Sequence, residues 1–251
     1  MALIRGGIFF VFMTMITALY AIVFAPTLIF GEAGARFTAK LWSRTVLLGV
    51  HYICGVRDRA VSDRALPTGP ALIAANHQSM WETLYLFANL DKPVFVLKQE
   101  LLHVPIFGWW LIRTGAIAVD RKAGAKALRK MTADAERVLA AGSQIVIFPE
   151  GTRTAVGARS QLQPGVAALY KIASTPCTPI VHDSGRYWLH PGPAKRSGEI
   201  KFDVRDPIPA GLDRRAFMSA LDAAFTNNRP DLNIARDDAR HTAPPLEKAQ
   251  A

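Results

Sequence analysis

Two hydrophobic periods divide this chain. From residue 6 to residue 31 no charge interrupts the run GGIFFVFMTMITALYAIVFAPTLIFG, 26 residues in all. As one helix it would reach roughly 39 Å, against a hydrocarbon thickness of about 30 Å. Pro26 breaks or kinks such a helix, so a bilayer-spanning helix and a re-entrant hairpin are both open. Ala33-Gly34-Ala35 has the small residues of a cleavage site, but the apolar run far exceeds the roughly 7–15 residues of a signal peptide. The next segment, RFTAKLWSRTVLLGVHYICGV, predicts a helix over 36–57. Arg36, Lys40, Arg44 and His51 fall within about 80° of one another on it. Such a stripe suits an interfacial helix on anionic headgroups, and also the solvated face of a packed helix.

From about residue 70 the pattern changes to short β-branched runs separated by helical periodicity. ALIAA (71–75), PVFVL (93–97), AIAV (116–119), QIVIF (144–148), CTPIV (177–181) and IKFDV (200–204) are the expected strands. Helices are expected at 80–90, 105–113, 123–141, 165–174 and 213–226, with a long loop over 183–198. This alternation predicts an α/β fold: a mostly parallel sheet flanked by helices, with an N-terminal membrane-associated helical segment. The end of the chain, polar and proline-containing, is expected to be disordered.

Charge sharpens the picture. The chain carries 30 Lys and Arg against 20 Asp and Glu, a net charge of +10, which calls for an anionic partner. Membranes, phosphorylated small molecules and nucleic acids all qualify on charge alone. More basic residues follow the apolar run than precede it, which places the globular part on the cytoplasmic side. The two cysteines, Cys54 and Cys177, form no close metal-type pair, so reduced thiols are expected.

Two polar clusters interrupt apolar strands. In AANHQSMWETLYLF the run stops at Asn76-His77, and Glu82 follows. In an unbroken helix His77 and Glu82 would lie about 140° apart. A strand ending at Ala75 and a helix starting near Ser79 let the acid reach back to the imidazole. Ser79 with Glu82 is equally a helix capping box, which needs no catalysis. If the pair is functional, the carboxylate fixes the imidazole tautomer and leaves the other nitrogen as a general base. A metal is not expected, because the spacing does not put both ligands on one helix face. The second cluster is IVIFPEGTRT, where a strand ends in a turn bearing Glu150, Gly151, Thr152 and Arg153. Gly151 permits close backbone approach, Thr152 offers a hydroxyl, and the Arg153 fork suits phosphate oxygens. Glu150 would repel a phosphate, so a hydroxyl or a base is its expected partner.

NHQSMWE followed by FPEGTR resembles the glycerolipid acyltransferase family, in particular the 1-acyl-glycerol-3-phosphate (lysophosphatidate) acyltransferases. The family's first motif, N-H-x-x-x-x-D, holds a catalytic His–Asp dyad, so the resemblance makes His77 the base; here the acid is Glu82, one methylene longer. KQELLHVPIFGWWLIRTGAIAVDR is similar to the second block, which assigns Lys98 and Arg121 to the acceptor phosphate beside Arg153. TPIVHDSG resembles the fourth, with Pro179-Ile180 near the site. The blocks cover about residues 71–185 in the family's order.

The resemblance implies transfer of a fatty acyl group from acyl-CoA or acyl carrier protein, as co-substrate and with no cofactor, to the free hydroxyl of a lysophospholipid. Glu150 is expected to bond the glycerol backbone, and amides near the helix start after His77 to stabilise the oxyanion. Expected partners are anionic membrane lipids, the lysophospholipid acceptor and the acyl carrier, with no nucleic acid. Residues 1–58 would form a membrane anchor and interfacial helices, 59–228 the catalytic domain facing the cytoplasm, and 229–251 the tail. The anchor is expected to take no part in chemistry. A hydrolase using the same base on water, an acyltransferase for a phosphate-free lyso-lipid such as lyso-ornithine lipid, and a non-catalytic anionic-lipid binding module are the alternatives.

Overall fold

The computed structural model describes residues 1–104, 107–120, 123–158 and 160–227. Two long helices, α1 (Ala2–Val23) and α2 (Gly31–Cys54), precede the sheet. Strands and helices then alternate as β1 (Val56–Ala60), β2 (Ala71–Ala75), α3 (Trp81–Asn89), β3 (Pro93–Lys98), α4 (Phe107–Arg113) and β4 (Ile117–Val119). The chain continues through α5 (Gly124–Ala140), β5 (Gln144–Ile147), α6 (Gly165–Ala173), β6 (Cys177–His182), β7 (Gly198–Val204) and α7 (Arg214–Thr226). The expected tail from residue 229 lies outside the described residues.

The strands form one sheet in the order β1-β7-β6-β2-β5-β3-β4. From β6 to β4 all neighbours are parallel, while β7 is antiparallel to β6 and β1 parallel to β7. Alternation along each strand splits the core in two. Leu72 and Ala74 of β2 pack with Met131, Val138, Leu169 and Phe217 on the side of α5, α6 and α7. Ile73 and Ala75 face the other way, toward Val46, Val50, Trp81 and Leu84 of α2 and α3. Every position of β2, β5 and β6 is buried, as a strand covered on both faces requires. A three-layer α/β fold results, with the mostly parallel sheet that the pattern predicts.

β1 is unforeseen by the pattern. Its sequence, VRDRA, exposes four of five residues and lies at the sheet's edge, where charge discourages further pairing. Gly55, with φ of 69°, ends α2 and starts β1, so the helix expected over 36–57 runs instead from Gly31 to Cys54. The division expected at residue 58 falls inside this strand.

Pro26 breaks the apolar run rather than bending it. The chain reverses through a 3-10 stretch, Ala25–Phe30, and α2 returns antiparallel to α1. Trp42 Nε1 donates to Thr17 Oγ1 at 3.1 Å, and the hydroxyls of Tyr20 and Thr45 lie 2.7 Å apart. A Cβ on Gly49 would come within 2.2 Å of the Phe12 ring, so glycine is what permits this approach.

The basic stripe of α2 is turned differently from the expectation of headgroup contact. Arg36 is buried, pairs with Glu32, and donates to the Pro93 carbonyl at 3.2 Å. Arg44 donates to the carbonyl of Ala88, in the last turn of α3, at 3.3 Å. The end of α3 leaves the Ala88 carbonyl without an intrahelical partner, and a guanidinium with several donors satisfies it.

Candidate active site

The parallel strands β6, β2, β5 and β3 end at one edge of the sheet, and the loops leaving that edge carry the candidate residues. Asn76, fully buried just after β2, laces β2 to β6. Its Nδ2 donates to the His182 carbonyl at 3.0 Å, and its Oδ1 accepts the His182 amide at 2.9 Å. The Asn76 carbonyl lies 2.8 Å from His182 Nε2, which fixes the proton there.

Beyond Asn76 the loop turns back through His77, and α3 begins at Trp81. Glu82, in its first turn, is 1% exposed. Its Oε1 lies 2.8 Å from His77 Nδ1 and accepts the amides of Gln78 and Ser79, each at 2.8 Å. Its Oε2 lies 2.8 Å from the hydroxyls of both Ser79 and Ser184. Ser79 Oγ in turn accepts the Trp81 amide at 3.0 Å. The capping arrangement and the acid–imidazole contact therefore coexist, one carboxylate serving both. The extra methylene relative to aspartate is taken up without loss of contact.

Burial works to raise the Glu82 carboxyl. It is outweighed by His182, 4.0 Å away, by the hydrogen bond and charge of His77, and by the Ser79 amide. Together they hold Glu82 well below the ordinary carboxylate range. An ionised carboxylate only accepts, so His77 Nδ1 carries a proton, and in the neutral form of the ring Nε2 keeps a lone pair. The His77 ring stacks on Phe148 with centroids 4.2 Å apart, which restrains its rotation.

The turn after β5 is bound directly to the His77 loop. Glu150 is buried and its Oε2 accepts the His77 amide at 2.7 Å and the Thr154 hydroxyl at 3.1 Å. The Thr154 amide donates to the His77 carbonyl at 2.8 Å. Glu150 thus braces the His77 backbone from inside, where glycerol contact was expected of it. Gly151 has φ of 72°, the left-handed region that glycine enters freely, and Thr152 and Arg153 stand exposed beyond it. Lys98 ends β3 with an exposed side chain; continuing the register puts it level with Pro149 and Asn76. It stands two strand spacings, about 10 Å, from β2. Arg121 lies outside the described residues.

Several site residues escaped the sequence reading. His182 and Ser184 reach Glu82 from the end of β6, and His190 stands 3.3 Å from Arg153 through Nδ1 and Nη1. The signal available was HDS, polar side chains directly after an apolar strand. Among the amides near the helix start after His77, where an oxyanion contact was expected, those of Gln78 and Ser79 are engaged by Glu82 and that of Trp81 by Ser79 Oγ. Both cysteines are free and buried, and burial pushes the Cys177 thiol up to about 12, so it offers no thiolate nucleophile. Chemically, the arrangement is an oriented imidazole with one nitrogen able to take a proton, flanked by a guanidinium and a second imidazole.

The acyltransferase family model matches residues 58–183, the stretch that contains the loops after β2 and β5. The chain is 37% identical over 177 residues to the 1-acyl-sn-glycerol-3-phosphate acyltransferase of Pseudomonas aeruginosa, spanning 70% of this chain and 68% of that protein. It is 29% identical over 169 residues to the 1-acyl-sn-glycerol-3-phosphate acyltransferase alpha of Homo sapiens, spanning 66% of this chain and 60% of that one. The crystal structure of the 1-acyl-sn-glycerophosphate acyltransferase from Thermotoga maritima superposes with a TM-score of 0.69 over 88% of this chain and 93% of that one. At 16% identity this is a likeness of fold. On the family model and the 37% identical relative, the chain belongs to the acyltransferase family.

Proposed function

We propose that this acyltransferase moves a fatty acyl group from a thioester, carried by coenzyme A or acyl carrier protein, to the free hydroxyl of 1-acyl-glycerol-3-phosphate, giving phosphatidate. The observation that carries the reading is the His77–Glu82 pair: Nδ1 is held by a buried carboxylate, and Nε2 remains for a substrate proton. Nε2 takes the hydroxyl proton as the oxygen attacks the thioester carbonyl. The tetrahedral intermediate then expels the thiolate, which recovers the proton from the imidazolium and leaves as a thiol. Glu82 stabilises the imidazolium between the two steps. A positioned base of this kind is worth roughly 10²–10⁴ in rate.

Arg153, with Lys98 and Arg121, neutralises the acceptor phosphate in this reading. The names of the relatives support that acceptor. α1 supplies the membrane contact: it is long and apolar enough to cross a bilayer, and Leu3, Ile8, Val11, Met15 and Ile22 stay exposed along it. Since the chain folds back after Pro26, the hairpin lies in the membrane surface with the sheet on the cytoplasmic side. The test is purified protein with a labelled acyl thioester and a panel of lyso-lipids. Labelled phosphatidate is expected; transfer only to phosphate-free acceptors, or only release of free fatty acid, would refute the reading.

A further inference from the structure

We infer that His190 is a specificity-determining residue that shares the acceptor phosphate with Arg153; this rests on the acceptor assignment proposed above. His190 sits in the connection between β6 and β7, and that connection is fixed on both sides. Toward the sheet, the amides of Tyr187 and Trp188 donate to the Ser184 carbonyl, and the Gly185 amide donates to Gln78 Oε1. Away from it, Trp188 and Lys195 form an antiparallel bridge that returns the chain, so His190 stands in a closed hairpin. α1 backs that hairpin. The Lys195 amide donates to the Ala2 carbonyl at 3.0 Å, and Phe9 meets Trp188 edge-on with centroids 5.2 Å apart. His190 is therefore exposed yet carried on a supported loop.

Its Nδ1 lies 3.3 Å from Arg153 Nη1. A guanidinium only donates, so Nδ1 accepts and the imidazole is neutral in this contact. Partial burial, then Arg153, then His77 all lower the His190 pKa. Both charged groups acting on it are bases, Arg153 from the turn after β5 and His77 from the loop after β2. His77 faces its own acid, Glu82, on its Nδ1 side. Arg153 and His190 thus meet near the imidazole proposed to take the hydroxyl proton. A phosphate dianion entering there accepts from the Arg153 fork and reverses the balance at His190, which gains a proton and donates through Nδ1. No step of acyl transfer passes through His190; it acts on which acceptor binds.

The test compares wild type with His190→Ala, His190→Gln and His190→Lys, using 1-acyl-glycerol-3-phosphate and a monoacylglycerol as acceptors between pH 6 and 9. For His190→Ala the KM for the phosphate-bearing acceptor should rise about 10–150-fold, the size expected of a hydrogen bond to a charged group, with kcat changed less than about twofold. The KM for monoacylglycerol should move far less, and that for the acyl thioester should hold. His190→Lys should recover most of the loss. The ratio of wild-type to His190→Gln kcat/KM should fall as pH rises, because only the wild type loses a proton at this position; the substrate's own titration cancels in the ratio. Equal losses of His190→Ala on both acceptors, or a ratio flat in pH with no change in KM, would overturn the role of His190 while leaving a phosphate-preferring wild type intact. A wild type that shows no preference for the phosphate-bearing acceptor removes the acceptor assignment first and this inference with it.

Discussion

A proton on Glu82 would have to displace one of its donors: the His77 ring, the amides of Gln78 and Ser79, or the hydroxyls of Ser79 and Ser184. Its folded pKa is accordingly depressed. The stability it contributes is fully present above the ordinary carboxylate value, about 4.3, and is lost as pH falls through the folded value. The wild-type melting temperature should therefore decline below about pH 4.5, more steeply than in Glu82→Gln, as thermal unfolding at a series of pH values would show. At pH 7 the same variant places an amide among donors. It should lose roughly 10²–10⁴ in kcat, and destabilise by about 3 kcal/mol through the broken buried contacts. A variant that melts lower but turns over normally would leave Glu82 a helix cap only. Ser184→Ala tests the donor that the sequence reading missed. A few-fold drop in kcat is expected, with about 1 kcal/mol of stability lost, read from paired rate and unfolding measurements.

At the level of elements, what the sequence revealed and what it hid divide along one line. β2 and β5 were legible because both faces are covered and their runs are uninterrupted, and the loops after them were legible because polar residues stop those runs abruptly. β1 was not, since an exposed edge strand of alternating charge has no apolar signature. The resemblance put Pro179-Ile180 of β6 near the site, but the contacts of His182 and Ser184 with Glu82 were hidden, because the order β6-β2-β5 that creates them is a property of pairing between distant segments. The orientation of α2 was hidden for a related reason: Arg36 and Arg44 read as surface charge until the carbonyls they satisfy are in place. α1 is where an expectation changes. It was expected to anchor only, yet a Cβ on Gly6 would sit 2.0 Å from the Pro193 carbonyl oxygen, in the same hairpin that carries His190. Gly6→Val should push α1 off that hairpin and raise the acceptor KM several-fold with the thioester KM unchanged. Steady-state kinetics with each substrate varied would check this, and an unchanged acceptor KM would mean that α1 and the site are independent.

Taken whole, the molecule sets an apolar face of the sheet against α2 of a helical hairpin whose α1 leaves apolar side chains exposed. Arg36 and Arg44 are spent on internal carbonyls, so in the proposed membrane-bound state lipid contact would fall to α1, where Leu3, Ile4, Phe10 and Leu19 are exposed. Vesicle binding should then persist at 0.5 M salt, where the Debye length is only a few ångströms, and should fall sharply when Leu3, Val11 and Met15 are all replaced by Gln. Co-sedimentation at two ionic strengths distinguishes this from attachment by charge, which salt would release. The central claim, that His77 oriented by Glu82 drives acyl transfer to lysophosphatidate, is tested most directly by one comparison. The initial rate of labelled phosphatidate formation is measured for wild type and His77→Ala, in preparations matched for melting temperature. The account predicts product from the wild type and a rate lower by about 10²–10⁴ in a folded variant. A folded His77→Ala that retains near-normal transfer, or a wild type that forms no phosphatidate, would contradict it.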